Sequence, residues 1–159
     1  MVPYPWIRFL HIFSAIGFVA IHGASIVVLY AIRKESDRSR VESLLGFSAS
    51  TVVAMYASLV AVVATGLWMG FVVPGFFSLA WYWLSLGLFL LTIVFMLLVA
   101  RPFGKRIRAA CEIRPSGVPR ISDEELGQIL RSQKTNVITA IGVIGLGAIL
   151  YLMVFKPGF

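Results

Sequence analysis

The chain has 159 residues, of which 59% are hydrophobic and 13% charged, with a net charge of +7 and a mean hydropathy of +0.91. Soluble domains carry about 25% charged residues, and a globule of this length has too little interior to hide so much apolar surface, which excludes a water-soluble fold and a disordered chain alike. The single cysteine, Cys111, excludes a disulfide scaffold or a thiolate metal cluster within one chain.

Residues 9–32, 43–100 and 135–155 contain no Asp, Glu, Lys or Arg. One helical span needs about 20 apolar residues, because the hydrocarbon core is about 30 Å thick and a helix rises about 1.5 Å per residue. The first and last stretches therefore give one span each. The middle one gives two, with Pro74-Gly75 as the turn between them. The prediction is an all-α, four-helix transmembrane bundle forming one domain over residues 1–159, with spans near 5–32, 45–72, 77–100 and 134–155.

The first span is read as retained: its apolar run is too long for a cleavable signal peptide and no basic region precedes it. It holds the only two histidines, His11 and His22. Eleven residues make close to three helical turns, so both rings point to nearly the same side, about 16 Å apart along the axis. A neutral imidazole within a helical bundle is a ligand for a b-type haem. The plainer alternative is a histidine bonded to a serine or carbonyl of a neighbouring helix. Arg8 lies one turn outward of His11, where a guanidinium could pair with a haem propionate or simply snorkel.

The loop 33–44 carries Arg33, Lys34, Arg38 and Arg40. In the second span, Met69 is expected near the depth of His11 and Met55 near that of His22. Either is a candidate second axial ligand, since two histidines on one helix cannot serve opposite faces of a single haem. Packing is the ordinary use of methionine. The spacing of Ala20 and Ala24, and of Ala57, Ala61 and Thr65, allows close helix approach. The third span opens with Trp81 and Trp83.

The loop 101–134 is the one sizeable polar segment. Pro115 and Pro119 break it, and Ser122 with Glu125 fits a capping box opening a short helix that runs into the fourth span. Of fourteen basic residues, only Arg8 and Lys156 fall at the other face. The positive-inside rule then puts both loops in the cytoplasm and both termini outside, in a bacterial cytoplasmic membrane, with Trp6, Trp68, Trp81 and Trp83 at the outer interface. The bases serve topology and anionic lipid contact rather than nucleic-acid binding.

No charged residue lies inside a span, which counts against proton pumps and ion-coupled carriers. No nucleophile motif or phosphate-binding glycine loop is present.

The segments "FLHIF", "ATGLW", "WYWLSLGLFLL" and "LMVFKPGF", spread over nearly the whole chain, resemble a bacterial family of four-helix integral membrane proteins known as a domain of unknown function. More distantly they are similar to HemJ-type protoporphyrinogen oxidases and CopD-type copper-resistance domains. The HemJ resemblance implies haem or porphyrin binding at His11. It also implies a lysine early in the third span, where this chain has Ser85, while the Lys156-Pro157 pair is kept. Two classes of function stay open. One is a tetrapyrrole-binding redox protein, with His11 as metal ligand, Arg8, His22, Met69 and Met55 as further cofactor contacts, and quinone or a partner protein as electron partner. The other is a non-catalytic subunit of a larger membrane complex or a homo-oligomer. A small-solute or copper transporter comes third.

Overall fold

The computed structural model describes residues 3–158. Helix α1 (Tyr4–Lys34) opens on Pro3 and Pro5, where a missing N–H costs nothing, and closes with Arg33 and Lys34 against the negative end of the helix dipole. Asp37 caps α2 (Arg38–Ser50) by accepting from the Ser39 amide. Thr51 joins α2 to α3 (Val52–Val72) with little interruption. Pro74 and Gly75, the latter at φ 74°, then turn the chain through a short 3-10 segment, Phe76–Ser78. Only glycine takes that left-handed backbone without strain.

Helix α4 (Ala80–Phe95) passes through a π-helical stretch, Met96–Ala100, directly into α5 (Arg101–Cys111). A small hairpin follows, in which the Arg114 amide donates to Val118 and the Arg120 amide to Glu112. The expected capping box is present: Ser122 Oγ accepts from the Glu125 amide while Glu125 accepts from the Ser122 amide, opening α6 (Asp123–Leu130). Residues 131–133 separate it from α7 (Lys134–Phe155).

Four helical runs, Tyr4–Lys34, Arg38–Val72, Ala80–Cys111 and Asp123–Phe155, are long and apolar enough to cross a membrane. The expected number of spans stands, but the segments between them are corrected. The loop 33–44 shrinks to residues 35–37, and much of the loop 101–134 is helix. Charge ends a membrane span without ending a helix. Phe103, Ile107, Ala110 and Cys111 recur every three or four residues among the arginines, so α5 buries one apolar row and keeps its cations in water.

Packing divides the bundle into two pairs: α1 lies chiefly against α3, and α4 against α7. The pairs are pinned together at both ends. At one end Val28, Ile32, Val41, Phe103, Ile107, Leu126 and Leu130 form a core shared by α1, α2, α5 and α6. At the other, Ile7, Met69, Phe76, Trp81 and Tyr82 pack together, and all four tryptophans, the start of α1 and the end of α7 lie towards this end. Between the two cores the pairs part. Large apolar side chains such as Phe13, Phe71, Leu98 and Ile144 remain exposed along every span, the surface that lipid covers.

Candidate functional site

The gap between the helix pairs is a cavity of about 420 Å³ lined almost wholly by apolar side chains of α1, α3, α4 and α7. That volume falls within the range of pockets that bury small organic ligands, about 300–1,000 Å³. Both histidines line it.

His11 is held from one side. Its Nδ1 lies 3.0 Å from the Val62 carbonyl oxygen and 3.0 Å from Thr65 Oγ1. The Thr65 hydroxyl donates back to the Ala61 carbonyl, so the hydrogen-bond pattern assigns the imidazole proton to Nδ1, donating to Val62. Nε2 then keeps its lone pair. A donor bond from one ring nitrogen to a carbonyl is the arrangement that orients a ligating histidine and raises its basicity. Gly66 makes room for it, since a Cβ there would stand 3.3 Å from His11 Cε1. Close approach of α1 to α3 thus rests on a glycine beside the ring.

His22 lies about 16 Å further along α1. Its ring stacks on Phe18, with centroids 5.8 Å apart and planes within 10°. It abuts α7 at Gly142, where a Cβ would stand 3.0 Å from both His22 Nε2 and Met96 Cε. No hydrogen bond reaches His22 among the described residues.

The other expected residues are not drawn in. Arg8 is exposed, outside the cavity, and makes no ion pair among the described residues. Met69 is buried in the core nearer the termini, one turn beyond Thr65, and Met55 is half-buried on α3; neither lines the cavity. Met153 of α7 does, together with Trp81, Tyr82, Ser85 and Phe89 of α4. Helical spacing from Val143 through Leu146 and Leu150 to Met153 carried that signal, but no motif singled it out. Ser85 is 2% exposed and donates to the Trp81 carbonyl. Lys156 takes a left-handed backbone at φ 45° and sets its Nζ 5.6 Å from the centre of the Trp81 ring, a cation–π contact. Among the described residues no three His, Cys, Asp or Glu side chains come together.

A second, more polar cavity of about 410 Å³ lies among α5, α6 and the start of α7, with Arg106, Glu125 and Lys134 in its wall. No curated protein and no solved structure matches the chain. The model of one family, described as "Predicted integral membrane protein (DUF2269)", matches residues 5–157. That match spans both helix pairs and the cavity between them, and the chain belongs to this family of integral membrane proteins.

Proposed function

We propose that the chain binds a b-type haem or related tetrapyrrole in the cavity between its helix pairs, with His11 Nε2 as the axial ligand. The observation that carries this reading is the His11–Val62 bond, which leaves Nε2 as a free acceptor at the wall of an apolar cavity. The donor chemistry suits the group: a neutral imidazole for the iron, and flat apolar walls for the macrocycle. Met153, at the His11 end, is the cavity's own thioether. Lys156, over Trp81, is the cation best placed to meet a propionate. When bound, the group supplies one-electron redox chemistry, with a membrane quinone or a partner protein as the other party.

In this reading the basic end of the bundle faces the cytoplasm of a bacterial cell and the other end the outer face of the cytoplasmic membrane, an orientation supported by the basic residues of α2, α5 and the hairpin. A second reading, an accessory subunit of a larger membrane complex, draws support from Ala20 and Ala24. Both are exposed on the outside of the bundle, where their small side chains would admit another helix.

The test is the absorption spectrum of detergent-purified protein expressed with haem supplied, recorded oxidised and then dithionite-reduced. The haem reading expects a Soret band that shifts on reduction and is lost in His11→Ala at unchanged helix content. A featureless visible spectrum overturns it in favour of the accessory subunit.

A further inference from the structure

Hydroxyls inside the spans are mostly satisfied by their own helix: Ser25, Thr65, Ser85 and Thr92 each donate to the carbonyl one turn earlier. Thr139 departs from this. Its Oγ1 is buried with no hydrogen-bond partner among the described residues, one turn before Gly142, the point where α7 meets His22. His22, in the wall of the apolar cavity, likewise makes no hydrogen bond among the described residues. Membrane interiors penalise such groups because no bulk water reaches them.

We infer that the His22 end of the cavity binds the carbonyl-bearing head of a membrane quinone. The imidazole, in the cavity wall, offers an N–H to a carbonyl oxygen. The stacked rings of Phe18 and His22 on α1, with Phe89 on α4, give flat walls for a planar head. The sparse contact between α1 and α7 gives an apolar tail a way out to lipid. A fatty acid or phospholipid would bring a charge with no counter-charge in the cavity wall, whereas a quinone head carries only neutral acceptors. Choosing a quinone over other neutral carbonyl-bearing lipophiles rests on the redox reading above. The hydrogen-bonding site itself rests on His22 and its neighbours.

The test titrates a ubiquinone with one isoprene unit into the full chain in lipid nanodiscs and follows quenching of tryptophan fluorescence, Trp81 being in the cavity wall. Saturable quenching is expected. His22→Leu should weaken it about tenfold, the worth of one hydrogen bond in an apolar site, while His22→Gln, which keeps an N–H donor, should stay within about threefold of the native affinity. The isoprenylated benzene lacking both carbonyls should fail to displace the quinone from the native chain, a measurement that needs no variant to fold. Quenching that never saturates, equal affinity in folded His22→Leu, or displacement by the hydrocarbon overturns the site. Saturable quinone binding with a featureless visible spectrum overturns the haem reading alone. A Soret band without saturable quinone binding overturns this inference alone.

Discussion

The Nδ1 of His11 and the carbonyl oxygen of Val62 lie 3.0 Å apart, a bond that joins α1 to α3 and settles which nitrogen of the ring faces away. Thr65 adds a second oxygen at the same distance, but its own proton goes to α3. The two contacts therefore do different work. Replacing Thr65 with valine removes one oxygen and leaves the Val62 carbonyl to hold the proton on Nδ1. Thr65→Val should cost about 1 kcal/mol of stability and leave the visible absorption of the native protein unchanged. Thermal unfolding and the absorption spectrum of the purified variant check both parts.

Close contacts at glycine separate two substitutions that look alike in sequence. A Cβ at Gly70 would stand 2.6 Å from two carbons of the Phe77 ring, while nothing lies within 4 Å of one at Gly87. The ring is rigid and is itself packed against Phe71, Tyr82 and Trp83. Gly70→Ala should therefore cost about 1–3 kcal/mol through overpacking, and Gly87→Ala should be neutral or slightly stabilising through helix propensity. Melting temperatures of the two variants in one detergent compare them directly.

Arg38 holds the polar end of the bundle together. Its guanidinium donates to the Ala110 carbonyl, to the Ile121 carbonyl at 2.9 Å and to Asp123 at 2.7 Å, tying the start of α2 to the end of α5 and the entry to α6. The Arg38 side chain is 11% exposed but that of Asp123 is 77% exposed, so water screens the ion pair. The two carbonyls depend on the arginine. Arg38→Met should cost about 2 kcal/mol and speed hydrogen exchange in α5 and α6. Asp123→Asn should change stability by less than about 1 kcal/mol.

Glu35 gives the same end an acid sensitivity. Its carboxylate accepts from the amides of Asp37 and Ser36, and these bonds hold its pKa below the ordinary 4.5, with Arg40 contributing less. A folded value below the unfolded one means that the carboxylate favours the folded chain above pH 4.5 and ceases to do so as acid protonates it. Melting temperature followed from pH 6 to pH 3 should fall on the acid side. In Glu35→Gln that fall should be smaller, the change being lost from the 35–37 turn.

Orientation can be read by labelling. Cys111 is fully buried, so a cysteine introduced at exposed Ser116 in the hairpin reports alone once Cys111 is replaced by serine. An impermeant maleimide should label Ser116→Cys in inverted vesicles and not in intact spheroplasts. The reverse pattern would put both termini in the cytoplasm.

Four spans were legible because the physics behind them is one-dimensional: a run without charge either is or is not long enough to cross the bilayer. The Pro74-Gly75 turn and the Ser122–Glu125 capping box were equally local. The cap at the basic end was not. Arginines at 101, 106 and 108 looked like a solvated loop until Phe103, Ile107 and Leu126 were brought together, a contact between segments far apart in the chain. The two histidines could be placed on one side of α1 by spacing, and both line one cavity. Which methionine joins them could not be obtained from depth alone. Met69 and Met55 were chosen by height alone, yet neither lines the cavity, and Met153 enters from a helix whose rotation only packing fixes.

The π-helical stretch at Met96–Ala100 acts as a gear between two parts of one rod. Ser85 and Phe103 are separated by about five α-helical turns, so an unbroken α-helix would carry both on the same side. The wider turns between them lag by on the order of a quarter revolution. Ser85 consequently looks towards the cavity and α7, while Phe103 and Ile107 look towards α2 and α6. The phase is set by how many residues occupy those turns, not by which ones. Ordinary α winding over the same number of residues would leave the spans at full length and swing the apolar row of α5 about a quarter turn out of mesh with its partners, whereas removing one residue as well, about 100° of turn, would bring it back.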